Sequence, residues 1–222
     1  MKKCVLTLSA ALLLVVPAAV SAQGLGLAAR AGTLGVGPEV ALGLSDGFVI
    51  RGGIGVTPFE PTVTIDDIPF TLTLPDRWIT IGADIYLGGT FRIGGGMLFK
   101  SGDPMLAGEI TGSTTIGDVT YTSTEVSQLT GTLDSKDRAP YVLLGFGKHT
   151  STGIGLFLDL GVAFLGESEV ALAATGDPAV VNSPEFQAEL RKQETNIEDD
   201  LGQYIKMWPI LSIGVRIGVG GR

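Results

Sequence analysis

Between residues 154 and 165 the chain alternates with a period of two. Ile154, Leu156, Leu158, Leu160, Val162 and Phe164 take one face, and Gly155, Phe157, Asp159, Gly161 and Ala163 take the other. Successive side chains point to opposite faces only in a β-strand, so this stretch reads as a strand with one greasy side and one small or charged side. The final stretch repeats the pattern, with Leu211, Ile213, Val215, Ile217 and Val219 opposite Ser212, Gly214, Arg216 and Gly218. The same rule marks eight segments: 24–32, 35–44, 48–58, 77–87, 91–100, 139–148, 154–165 and 208–219. Most approach the roughly nine to eleven residues that a tilted membrane strand needs. Hydrophobic residues make up 45% of the chain. Beyond the first residues, however, no uninterrupted apolar run reaches the roughly 18 that a spanning helix requires, so the hydrophobicity belongs to strands.

The connections between segments are unequal in an ordered way. Ser45-Asp46-Gly47, Gly88-Gly89-Thr90 and residues 149–153 are tight turns, while residues 59–76, 101–138 and 166–207 are long. Short and long links alternate as periplasmic turns and extracellular loops do in outer-membrane barrels. The first hairpin, at Thr33 and Leu34, belongs on the long-loop side yet is very short. Two long loops carry hairpin patterns of their own. Thr62 to Ile65 and Phe70 to Leu74 flank Asp66-Asp67, and Thr114 to Ile116 and Val119 to Tyr121 flank Gly117-Asp118. The third opens a helix, with Ser183 as N-cap and Pro184 at the first position. Phe186, Leu190, Ile197, Leu201 and Ile205 then lie on one face. Its charged remainder points to a solvated helix packed over the barrel mouth rather than to a partner-binding helix.

Assigning faces strand by strand puts Arg30, Glu39, Arg51, Asp84, Arg92, Asp159 and Arg216 opposite the apolar stripe. In a water-soluble sandwich the polar side would meet water. Here that side is mostly glycine and alanine with single charges of nearly balanced sign, which suits the interior of an eight-stranded barrel just wide enough for side chains to fill. An unpaired charge inside would cost several kcal/mol, and an Arg or Lys at the lipid midplane about 2–4 kcal/mol, so both costs drive these charges inward and into pairs. Phe48, Trp78, Tyr86, Phe91, Phe99, Tyr141 and Trp208 near strand ends fit interfacial girdles, with the alternative that some of them face inward.

Residues 1–22 read as an export signal. Lys2 and Lys3 form a positive start, Val5 to Val16 an apolar core too short to span a bilayer, and Val20-Ser21-Ala22 a small-residue cleavage site. Residues 23–222 then form the barrel domain. Cys4, the sole cysteine, leaves with the signal, which removes disulfides and thiolate metal sites from the mature chain. Losing Lys2 and Lys3 turns 15 basic against 23 acidic residues into 13 against 23, a net charge of −10 that disfavours nucleic acid. The expected architecture is all-β: an eight-stranded antiparallel transmembrane barrel with long extracellular loops, one of them helical. Both mature termini are expected in the periplasm.

With strands such as "RWITIGADIYLGGTFRIGGGMLFK" and "APYVLLGFGK", the chain resembles the small eight-stranded outer-membrane barrels of Gram-negative bacteria of the OmpA, OmpX and OmpW type. The resemblance covers nearly all of the mature chain and carries no catalytic motif. The chain departs from it in ending on Val219-Gly220-Gly221-Arg222 rather than on an aromatic residue.

Three features invite chemistry. Gly24-x-Gly26-x-x-Ala29 fits a dinucleotide fingerprint but lacks the preceding strand and following helix that make such a loop cradle phosphate. His149 is the sole histidine and adjoins Thr150 and Ser151, so any Ser-His hydrolase, as the resemblance to lipid A deacylases of this barrel type would imply, must use it. Its place in a periplasmic turn is the wrong end for outer-leaflet lipid. Asp66-Asp67 and Glu198-Asp199-Asp200 offer carboxylates without the spacing of a dedicated cation loop. The expectation is therefore no catalytic residue, no cofactor and no metal. The chain is expected to be a monomer set in outer-membrane lipid and lipopolysaccharide, with a structural or surface-interaction role and a lumen plugged by paired charges. The alternatives are a narrow conduit for small or hydrophobic solutes, as the OmpW resemblance would imply, and a lipid-modifying enzyme.

Overall fold

The computed structural model describes residues 24–65, 68–201 and 206–219. The export signal, Asp66-Asp67, Ile205 and the last three residues lie outside the described residues. In chain order the elements are β1 (Gly24–Gly32), β2 (Gly35–Ser45), β3 (Phe48–Val56), β4 (Thr62–Ile65), β5 (Ile68–Thr73), β6 (Arg77–Gly88), β7 (Phe91–Ser101) and β8 (Met105–Glu109). They continue as β9 (Ser113–Ile116), β10 (Val119–Thr122), β11 (Val126–Ser135), β12 (Arg138–Phe146), β13 (Gly153–Phe164), β14 (Ser168–Gly176), α1 (Pro178–Val181), α2 (Pro184–Leu201) and β15 (Met207–Val219).

Eight antiparallel strands close a barrel in the order β1-β15-β13-β12-β7-β6-β3-β2. Closure is the pairing of β1 with β15, from Leu25↔Val219 to Gly32↔Ser212. These are the eight segments that alternation marks in the sequence. Two ends shift by two residues and the others by at most one: β3 stops at Val56 rather than Pro58, and β12 stops at Phe146 because Gly147 turns the chain into the left-handed region (φ 101). The apolar stripes face outward as expected, and the outside is a band of exposed aliphatic side chains such as Ile81, Ile85, Ile154 and Ile213. No helix among the described residues is long and apolar enough to cross a membrane, a statement that leaves strands aside.

Both hairpins expected in the long loops form, as β4-β5 and β9-β10, and the latter stands as its own two-stranded sheet. β14, β11, β8, β5 and β4 form one five-stranded sheet in that order, matching the order β13-β12-β7-β6-β3 in the barrel. Each of these strands is the chain continuation of its barrel counterpart, so five of the eight barrel strands are prolonged into a half wall. Within the extension Leu72 lies opposite Leu106, and Leu133, two residues from the Leu106 partner Gly131, shares their face. On the outer side the barrel's aliphatic residues give way to Thr71, Thr73, Ala107, Thr130, Thr132 and Ala171. The greasy band thus ends where the extension begins.

Helix α2 fills the concave side of the half wall. Ser183 caps it, its hydroxyl accepting from the Phe186 N–H at 3.1 Å, as the sequence anticipates. Phe186 and Leu190 are buried with Ile110, Ile116, Tyr121 and Val126, against Phe70, Leu129 and Leu172 of the sheet. The β9-β10 hairpin leans on the same helix, the Gly117 N–H donating to Gln193 Oε1 (3.0 Å) and the Asp118 N–H to Glu189 Oε2 (2.6 Å). Glu194 and Glu198 accept from the Leu172 and Val170 N–H groups at 2.7 and 2.8 Å, so the helix caps the free edge of β14.

Candidate functional site

The lumen is filled in three layers. Nearest the long loops lies an apolar layer of Leu34, Trp78, Leu98, Tyr141, Leu143, Leu165 and Ile210, with Trp208 packed against it. The Trp78 and Trp208 rings meet at 5.1 Å. Of the seven girdle candidates, four take the inward alternative. Trp78, Tyr86, Tyr141 and Trp208 share the inward parity of their strands, and only Phe48, Phe91 and Phe99 lie outside. The tight first hairpin contributes Leu34, which folds inward beside Gly55. A Cβ at Gly55 would sit 1.9 Å from the Leu34 carbonyl oxygen, so the hairpin closes on a position that tolerates no side chain.

The middle layer is ionic. All seven charges that alternation places inward are buried. Arg51 pairs with three carboxylates, Glu39 at 3.1 Å, Asp84 at 3.2 Å and Asp159 at 2.9 Å. Arg92 pairs with Asp84 at 2.8 Å and with Asp159. Arg30 approaches Glu39 at 3.6 Å. These six groups form one connected network of three cations and three anions. Arg216 lies apart and donates instead to the carbonyl oxygens of Ser151 and of Gly153, the latter at 3.0 Å. Luminal glycines make room for the long side chains. A Cβ at Gly145 would fall 1.8 Å from Arg92 Nη1, and one at Gly94 would fall 2.1 Å from Asp84 Oδ1.

The third layer is the turn between β12 and β13, which folds back under the barrel. His149, placed by the sequence in that turn, is 1% exposed because its ring points into the lumen. Its Nε2 lies 2.9 Å from Glu39 Oε1, its Nδ1 lies 3.3 Å from the Tyr86 hydroxyl, and its ring packs on Phe157 at 4.6 Å. The backbone N–H of His149 donates to the Tyr86 hydroxyl at 2.9 Å. Both ring nitrogens thus face partners other than Thr150 and Ser151. Close approach of the turn is possible because Gly26 and Gly218 lack side chains, since Cβ atoms there would fall 2.0 and 1.9 Å from the carbonyl oxygens of His149 and Ser151. The Gly24-x-Gly26 pair therefore serves packing inside a strand, with no helix following it.

Sequence reasoning missed His149, Tyr86 and Lys100 as inward groups. Lys100 carried a signal, since it shares the parity of Arg92 along β7; it is buried and pairs with Asp103. His149 carried none, because a turn has no parity. Of the acidic clusters, Glu198 is committed to capping β14, and no group of three His, Cys, Asp or Glu suited to a metal occurs among the described residues.

No protein-family model matches this chain, and no curated protein sequence matches it. Among solved structures it is similar to the crystal structure of CarO2 from Acinetobacter baumannii, with a TM-score of 0.67 and 19% identity over 88% of this chain and 98% of that one. It is also similar to CarO from the same organism, with a TM-score of 0.61 and 18% identity over 86% of this chain and 96% of that one. At such identities the likeness is one of fold.

Proposed function

We propose that the protein is a non-enzymatic outer-membrane barrel, prolonged strands outward and both ends of the barrel chain in the periplasm. It presents the half wall and helix α2 at the cell surface and keeps its lumen closed. The observation that carries this reading is the division of the barrel. Its outside is an exposed aliphatic band that demands an apolar solvent, and its inside is occupied by a connected set of buried ion pairs. A closed lumen needs no solute, and a prolonged wall filled by a helix suits contact with other surfaces. The first test is gel migration of outer-membrane fractions with and without boiling, where a barrel shifts in mobility. A protein recovered soluble from the periplasm without such a shift would overturn the membrane setting. The second is planar-bilayer recording, where no stable openings are expected.

One observation favours a conduit as the second reading. The segment 148–152 that closes the short-turn end is bracketed by Gly147 (φ 101) and Gly153 (φ 88), two left-handed positions able to act as hinges. Steady openings that become more frequent in His149→Ala would select this reading. The lipid-modifying alternative predicts altered lipid A in cells making the protein and its loss in His149→Ala; unchanged lipid A in both strains is expected.

A further inference from the structure

The four luminal guanidinium groups are unequally served. Arg51 has three carboxylates, Arg92 has two, and Arg216 has two backbone carbonyls. Arg30, 5% exposed, has one carboxylate at 3.6 Å from its Nη1, and that carboxylate, Glu39, is already shared with Arg51 and His149. Its Nε and Nη2 have no hydrogen-bond acceptor among the described residues. These two atoms form the side-on edge of the guanidinium, whose parallel N–H bonds match the two oxygens of a carboxylate. Leaving buried donors of a charged group without an acceptor is costly, so this edge is built to face an anion.

Gly53 packs over the guanidinium face, where a Cβ would meet Arg30 Cζ, the Pro38 carbonyl oxygen and Thr80 Oγ1 at 3.3 Å each. The Thr80 hydroxyl lies at the same spot and donates to the Gly53 carbonyl oxygen at 3.4 Å.

We propose that Arg30 is an anion-binding site inside the barrel, and that its Nε and Nη2 take a single carboxylate group or a halide between the ionic and apolar layers. The site goes beyond the closed-barrel reading and holds whether or not the lumen conducts.

The test uses the full folded chain in detergent at constant ionic strength, with thermal unfolding followed by the mobility shift. Replacing sodium gluconate, too bulky for the lumen, with sodium formate is expected to raise the midpoint by about 2–4 °C in a saturating manner. Arg30→Gln should lose the rise, whereas Lys192→Gln on the exposed helix should keep it. Sodium chloride separates the two sources: an equal rise assigns the site to ambient halide, and a smaller one to carboxylates. Equal midpoints in all three salts, or a rise retained in Arg30→Gln, would overturn the proposal. Should Arg30→Gln not fold, crystals of the unaltered protein soaked in bromide decide it. An anomalous peak at hydrogen-bond distance from Arg30 Nε and Nη2 is expected, and a water in its place would refute the site.

Discussion

At the scale of single residues, the lumen works by exchanging size between neighbours. Arg92 is 0% exposed because Gly145 on the adjoining strand has no side chain, and Asp84 fits because Gly94 has none. Gly145→Ala should therefore destabilise the folded barrel. In an Arg92→Ala background the same change should cost almost nothing, a coupling that a double-mutant cycle of urea unfolding in vesicles would measure. Asp159 holds both Arg51 and Arg92, so Asp159→Ala leaves two guanidinium groups short of a partner. We expect a loss of about 3–5 kcal/mol in the same measurement. The chain's two tryptophans, Trp78 and Trp208, both face the lumen, so lipids brominated on the acyl chains should quench their fluorescence weakly. Strong quenching would restore the girdle assignment. Face assignment by parity reaches all seven inward charges because a strand's period is invariant, and the same parity, carried to the strand ends, turns Trp78 and Tyr86 to the side of Asp84 and Trp208 to that of Arg216.

At the scale of elements, the barrel strands and the extension behave differently. Each barrel strand has one exposed aliphatic face and one face in a crowded lumen, so its alternation is clean. β8, β11 and β14 carry apolar and small residues on one side and threonine, alanine and acidic residues on the other, with a register shift between Val126 and Gln128 that breaks the period. That weaker contrast hides them within long loops, while helix α2, with its Ser183-Pro184 start, is plainly marked. The extension rests on Phe186, whose ring meets Tyr121 edge-on at 5.0 Å. Phe186→Ala should cost about 3–5 kcal/mol locally. Limited proteolysis should then cut within residues 101–138 or 166–207 while the boiled and unboiled bands still differ. Removing the carboxylates that cap β14, in Glu194→Ala with Glu198→Ala, should expose a strand edge and raise concentration-dependent association, read by light scattering.

At the scale of the whole molecule, the outer band decides the surroundings. Ile213 is 59% exposed near the middle of β15, where an arginine on a water-bathed surface would be harmless. In a bilayer Ile213→Arg should cost about 2–4 kcal/mol, measured by folding into vesicles, and a neutral result would count against the membrane setting. The number of barrel strands, their turns and the inward or outward side of each residue followed from the sequence, because a period of two is local and survives without knowledge of neighbours. Three things were settled only by the tertiary structure. The long loops combine into one half wall because each continues a barrel strand already held beside its partner. The turn bearing His149 packs inside the short-turn end, with Arg216 donating to its carbonyls, because glycines on strands distant in sequence, Gly26 and Gly218, clear a path for it. Among charges alike by parity, the network leaves Arg30 the least served. Parity gives each residue a side but no distance, and only the closed barrel sets how far each charge reaches across the lumen.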